Sequence, residues 1–280
     1  MASGAGRRLS ILAVLAALVA VLHSPSRGQL RADEIAGRAE WEAFLASAEV
    51  VGSHQITGPG AVTKPWVLTL RSGPIERQAL WKDVDGKPKG TLDCWRYEVA
   101  AYRLDKVLGL GMVPATVERH ESGRPGSCQI FADGAEPLRD KMERSEEMSP
   151  AAVVHWRRGG YLQQAFDNLI GNSDRSQGNI LLTPDWRWVL IDHSRAFRTE
   201  AAYTKALPFD EKMFPDGELM KELPRAFVER LRALDEAAIT AAVGPYLDKK
   251  EIRATIARTA LLLAGIDAAI ARVGDAKFLY

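Results

Sequence analysis

The rhythm of apolar and polar positions changes once along the chain. In its first half the apolar runs are short and punctuated: residues 50–70 are interrupted by Gly52, Gly58, Pro59, Gly60 and Pro65, a pattern that suits strands and turns. Residues 66–70 (Trp-Val-Leu-Thr-Leu) predict one strand. Residues 78–84 predict another beyond a turn near Ser72-Gly73-Pro74, which places Lys82 at the far end of that strand. Two more strands are expected over 113–119 and 127–131, and a short helix over 36–48. Within this region one stretch has a helical period, because Tyr97, Ala100, Ala101, Leu104, Val107 and Leu108 recur at three- and four-residue steps. Gly109 and Gly111 end it, and Pro114 prevents its continuation.

After a charged connector with little periodicity, residues 139–149, the helical rhythm dominates. Residues 150–171 read as mainly helical, and 224–243 and 249–273 as amphipathic helices broken at Gly244-Pro245. Between them, residues 180–191 are two apolar runs around a Pro-Asp turn, which predicts a β-hairpin. A β-rich first half and an α-rich second half make the expected class α+β, with two lobes, 36–138 and 139–280, sharing one cleft.

Composition narrows the function classes. With 46% apolar and 26% charged residues the chain is an ordinary globular protein, neither disordered nor fibrous. Its 37 basic and 36 acidic side chains nearly cancel, so no long-range field gathers nucleic acid or anionic membrane. Arg7 and Arg8, the apolar run 11–22 and then Ser24-Pro25-Ser26 follow the layout of a secretory signal. Residues 1–28 are therefore expected to be a signal peptide or an uncleaved amino-terminal anchor, the latter the chain's one expected membrane contact. The expected location is a periplasm, a secretory lumen or the extracellular space. In such a compartment Cys94 and Cys128 are either one disulfide or two free thiols, and their spacing leaves both open.

The chemistry concentrates in Asn172-Ser173-Asp174-Arg175-Ser176-Gln177-Gly178-Asn179, followed thirteen residues later by Asp192. A hairpin loop centred between Asp185 and Trp186 would put Asn179 directly opposite Asp192 at the open end, with Cβ atoms roughly 5 Å apart. An amide oxygen and a carboxylate so placed can share one Mg²⁺, leaving its other positions to phosphate and water. Asp174 faces the same mouth, where it could accept a proton from an attacking hydroxyl, with Arg175 steadying that carboxylate or a phosphate. Taken singly, each of these residues would be an ordinary turn cap or strand end.

The spacing Asp174-x-x-x-x-Asn179 with a following Asp192 resembles the catalytic and metal-binding segments of protein kinases. Asp192-His193-Ser194 stands in place of Asp-Phe-Gly, and no His-Arg precedes Asp174. The wording Asn172-x-Asp174-Arg175-x-x-x-Asn179 is more similar to atypical kinase-like families: phosphatidylinositol 3/4-kinases, HipA-type kinases and the secretory-pathway Golgi kinases. The resemblance implies a bilobal kinase-like fold, ATP, Mg²⁺ or Mn²⁺, and phosphoryl transfer to a hydroxyl on a protein, glycan or lipid. It further implies Lys82 on the α/β-phosphates with Glu98 holding it, Asn179 and Asp192 as metal ligands, and Asp174 as the group that orients the acceptor.

Gly58-Pro59-Gly60 lies where a phosphate-covering loop would sit but reads as an ordinary turn. His193 and the tryptophans at 66, 81, 156, 186 and 188 read as structural. Two rivals remain: a non-catalytic pseudokinase serving as an exported binding module, and a metal-dependent phosphoesterase, disfavoured by the lack of a His or carboxylate cluster at ligand spacing.

Overall fold

The computed structural model describes residues 36–58, 62–88, 90–209 and 220–280. The amino-terminal signal or anchor expected over 1–28 lies outside the described residues. Helix α1 (Arg38–Ser47) leads into strand β1 (Glu49–Gln55). There follow β2 (Trp66–Ser72), β3 (Ile75–Lys82), the short pair β4 (Asp85–Gly86) and β5 (Asp93–Cys94), helix α2 (Trp95–Leu108), β6 (Thr116–Glu121) and β7 (Arg124–Ile130). Five of these strands form one antiparallel sheet in the order β1-β2-β3-β7-β6.

The hairpin β2–β3 pairs Ser72 with Ile75 around Gly73 and Pro74, and Gly73 takes the left-handed φ of 56° that the turn needs. The far half of β3 is buried where it pairs with β7, Ala79 opposite Ile130 and Lys82 opposite Ser127. Strand β7 can come this close because residue 126 is glycine: a Cβ there would lie 2.5 Å from the Lys82 carbonyl oxygen and 2.7 Å from the Trp81 ring.

Helix α2 packs under the sheet and is also fastened to the carboxy-terminal helices. The Tyr97 hydroxyl bonds Glu251, Arg103 donates to the Ala242 carbonyl at 3.3 Å, and Arg230 donates to the Leu108 carbonyl at 3.2 Å. In its last turn, the buried Asp105 carboxylate accepts from the backbone N–H groups of Met112 (2.7 Å) and Val113 (3.0 Å) and pairs with Arg38 at 2.5 Å, which fixes the turn between α2 and β6. Cys94 and Cys128 are both buried and free. Burial pushes their thiols up to about 11 and about 12, so neither is a ready nucleophile.

The stretch expected to be an irregular connector contains helix α3 (Leu138–Glu143), preceded by β8 (Glu136–Pro137). Helix α4 (Pro150–Ile170) starts where the Ser149 hydroxyl accepts from the Ala152 N–H and Pro150 occupies the first turn. It ends at Gly171, whose φ of 65° closes the helix and delivers the chain into the 172–179 loop. Strands β9 (Ile180–Leu182) and β10 (Trp188–Leu190) form the expected hairpin, and β8 adds a third strand beside β9.

Beyond the short α5 (Ala201–Thr204), the span expected as one helix over 224–243 is two, α6 (Arg225–Arg232) and α7 (Glu236–Val243). They divide because the Asp235 carboxylate accepts from the Ala238 N–H at 2.7 Å and caps a new helix. Helices α8 (Lys249–Val273) and α9 (Asp275–Phe278) complete the chain. By length and composition α8 could cross a membrane, but its Ile252, Leu262 and Ile266 lie in a hydrophobic core that also holds Leu70, Leu104 and Leu169.

Candidate active site

A cleft of about 710 Å³ opens between the sheet and the hairpin mouth. Lys82 and Asp93 line it from the first half of the chain, and Asp174, Asn179, Asp192 and Arg195 from the second. Ile56, Thr57 and Gly58, just past β1, also line it, so the segment read as an ordinary turn borders the cleft. Pro59 and Gly60 of that segment are outside the described residues.

Lys82 is brought there by the last position of β3, and its Nζ makes two ion pairs, with Glu98 Oε1 at 2.6 Å and Asp192 Oδ1 at 2.7 Å. Glu98 stands behind it, one turn into α2 and 3% exposed, and its Oε2 accepts from the His193 N–H at 2.8 Å. Burial alone would discharge Lys82, but the charges of Asp192 and Glu98 outweigh it and hold the ammonium's pKa above its ordinary value. Burial likewise opposes the Glu98 charge, and Lys82 together with His193 reverses that, holding the carboxyl well below the usual range.

The hairpin register differs from the expected one. Trp188 pairs with Leu182 and Leu190 with Ile180, which puts Ile191, not Asp192, opposite Asn179; the Ile191 N–H donates to the Asn179 carbonyl at 3.1 Å. The loop holds three residues, Pro184-Asp185-Trp186, centred on Asp185 and not between Asp185 and Trp186 as expected, with Trp186 in the left-handed region at φ 64°. Asp192 lies one place beyond the ladder at φ 60°, a conformation Asp tolerates better than most residues. Asn179 and Asp192 therefore both line the cleft but are not a cross-strand pair.

Arg175 does not face the cleft as expected. Its side chain is 2% exposed and forked onto Asp167 at 2.8 and 2.9 Å, while Nη1 donates to the carbonyls of Asn179 (2.9 Å) and Ile191 (2.6 Å). It is a buried strut under the hairpin mouth, and Asn172 adds a bond to the same Asp167 at 3.1 Å. The cation beside Asp174 is Arg195, 3.0 Å from its Oδ2. Asp93 and Arg195 are cleft-lining groups that sequence reasoning missed, and the buried Ser194 bonds Asp93. Asp93 reads as a helix-start residue before Trp95, and the only signal for Arg195 is its nearness to Asp192. His193 is fully buried with its ring edge-on to Phe166 at 6.1 Å, and Trp81, Trp186 and Trp188 are core residues, in keeping with their structural reading.

A divalent ion fits the donor set. The charged side chains lining the cleft are three carboxylates against two cations, an excess of negative charge that a polyphosphate could not approach unaided. Asp192 uses Oδ1 for its bonds to Lys82 and Ser194, and its Oδ2 takes part in neither. Among the described residues no cluster of three or more His, Cys, Asp or Glu side chains is placed to hold a metal. One carboxylate and one amide would leave an ion's other positions to phosphate and water.

No family model and no curated protein matches the chain. Solved structures do. The chain is similar to the Golgi casein kinase with Mn/ADP bound, at 17% identity and a TM-score of 0.59 over 91% of this chain and 80% of that one. It is also similar to hydra Fam20 with sugar, at 13% identity and a TM-score of 0.62 over 92% of this chain and 96% of that one. The fold is therefore the expected α+β, kinase-like one, and of the three resemblances expected from the sequence it is the Golgi-kinase one that these structures support.

Proposed function

We propose that the chain is an ATP- and divalent-metal-dependent phosphotransferase that moves the γ-phosphoryl group to a hydroxyl acceptor. The observation that carries this reading is Lys82, held between a buried Glu98 at 2.6 Å and Asp192 at 2.7 Å, at the edge of a cleft that also presents Asp174 and Asn179. An isolated surface lysine needs no such framing, whereas a lysine that grips phosphates needs its ammonium aimed and permanently charged. Lys82, held in place by Glu98, grips the nucleotide phosphates, Asn179 and Asp192 hold the ion, and Asp174 orients the acceptor hydroxyl and takes its proton. The ion, Mg²⁺ or Mn²⁺, shields the phosphate charge. The neighbour with Mn/ADP bound supports the choice of nucleotide and metal.

Two lobes, 36–138 and 139–280, closing on this cleft belong to the same proposal. So does export: the Golgi-kinase neighbours suit a lumenal or secreted enzyme, and the Arg7-Arg8 and 11–22 pattern would direct it there.

A thermal-shift titration of the chain from Gln29 onward with ATP and Mn²⁺ or Mg²⁺ tests binding. A ligand at 100 times its Kd adds about 2.7 kcal/mol, which for a chain of this size raises Tm by about 5–10 °C. The same titration on Asp192→Ala should show the metal-dependent part of the shift gone, with the ligand-free protein still folding cooperatively, because the apolar strands of the hairpin are untouched. An unchanged metal-dependent shift in that variant would remove Asp192 from the metal site. Binding without any transfer of phosphate would favour the pseudokinase reading.

A further inference from the structure

Asp93 and Arg195 have no part in the roles assigned above, yet they complete a continuous polar chain across the cleft. Ser194 Oγ donates to Asp93 Oδ1 at 2.9 Å and lies 3.2 Å from Asp192 Oδ1. Arg195 Nε donates to Asp93 Oδ1 at 3.0 Å and Nη2 to Asp93 Oδ2 at 3.3 Å, and Nη1 donates to Asp174 Oδ2 at 3.0 Å. The chain thus runs Lys82, Asp192, Ser194, Asp93, Arg195, Asp174.

Asp93 is 2% exposed, so its charge has to be met where it stands, and Arg195 meets it on both oxygens. Asp174, in contrast, is half exposed on a loop. Its backbone N–H is tied to Asn172 Oδ1 at 3.1 Å, and Arg195 is the side chain that bonds its carboxylate. Oδ1 of Asp174 takes no part in that bond, which leaves it for an incoming hydroxyl.

We propose that Arg195, anchored by Asp93, is a positioning residue that aims the Asp174 carboxylate at the acceptor. This rests on the reading of Asp174 as the acceptor-orienting group. The planar fork of arginine suits such a role, since one edge is fixed on the buried carboxylate and the remaining nitrogen holds the exposed one at a set distance and angle. The Arg195–Asp174 pair, half exposed, is worth little in stability, so its effect belongs in the orientation of Asp174, whereas any loss of stability on removing Arg195 comes from the buried Asp93 charge.

The test uses the full chain with Arg195→Met and Arg195→Lys, read in two ways. Hydrogen exchange of the ligand-free 172–179 segment should speed up in Arg195→Met while that of α2 stays as it was. Phosphate transfer from ATP should lose about 10- to 100-fold in kcat with KM for ATP unchanged, the size expected when a reacting group is misplaced by about 1 Å. Arg195→Lys, which keeps the charge without the fork, should recover only part. In an Asp174→Asn background, Arg195→Met should cost nothing further, because the group it aims is already disabled.

A rise in KM for ATP at constant kcat would make Arg195 a nucleotide ligand and overturn the proposal, as would an equal loss in both backgrounds. If the wild type transfers no phosphate, the phosphotransferase reading fails by itself. The exchange measurement still decides for Arg195, and an unchanged 172–179 segment would refute it.

Discussion

Asp174→Asn should lower phosphate transfer by about 10²- to 10⁴-fold while leaving nucleotide affinity where it is. The amide keeps the shape of the carboxylate but cannot take the acceptor proton. The groups proposed to hold nucleotide and ion, Lys82, Glu98, Asn179 and Asp192, are untouched by the change, and among the bonds they make only Asn179 reaches residue 174, through the backbone carbonyl at 3.4 Å. Because the Asp174 side chain is half exposed, the substitution should not disturb folding. Transfer from labelled ATP to a mixed pool of exported proteins and glycans, run beside a nucleotide-binding titration, separates the two effects. A variant that matches the wild-type rate would show that Asp174 does not take the acceptor proton.

Lys82→Met should cost the fold about 3–5 kcal/mol, since it leaves Glu98 ionised, 3% exposed and without its main counter-charge. Urea unfolding at neutral pH measures this, and adding Glu98→Gln should restore part of the loss by removing the orphaned charge. The pH dependence has a definite sign. The folded state depresses the Glu98 pKa, so its contribution is present above the ordinary value of 4.5 and fades as the pH falls below it. The folded state raises the Lys82 pKa, so its contribution is present below the ordinary value of 10.5 and fades as the pH rises past it. The gap between wild type and Lys82→Met should therefore narrow as the pH falls into acid, beginning above pH 4.5, because without Lys82 burial raises the Glu98 carboxyl and its protonation removes the orphaned charge. A gap that widened in acid would mean that Glu98 is not stabilised in its ionised form.

What was legible in the sequence was local. The helical period of 93–108 put Glu98 one turn into a helix, and the short apolar run before Lys82 put it at a strand end; that Glu98 is buried only the structure shows. The 172–179 spacing and the following apolar hairpin put Asp174, Asn179 and Asp192 near one mouth. The failures come from terms that periodicity does not carry. The hairpin register turned on one backbone angle, Trp186 in the left-handed region, which slides every pairing by one place. Arg175 looked like a cleft residue because its partner Asp167, eight positions back on α4, is read from sequence only as part of a helix. Asp93 and Arg195 meet across 102 positions, and neither neighbourhood hints at the other. The two cysteines are free, on β5 and β7, which no count of intervening residues could reveal.

The fastening of α2 bears on how such an enzyme could be governed. In a kinase whose equivalent helix is free, an outside partner can switch the molecule by swinging the glutamate in or out. Here Tyr97, Tyr102, Leu104 and Leu108 are buried in the common core, and the far side of the helix is bolted to residues 230, 242 and 251. Swinging it out would strip several such side chains of their neighbours at about 1.5–3 kcal/mol each, so the outward form would be populated well below one molecule in a thousand. Amides along 95–108 should accordingly exchange only through global unfolding, as slowly as those of the core strands, with no faster opening of the helix on its own. The Lys82–Glu98 grip is then a permanent fixture and not a throttle.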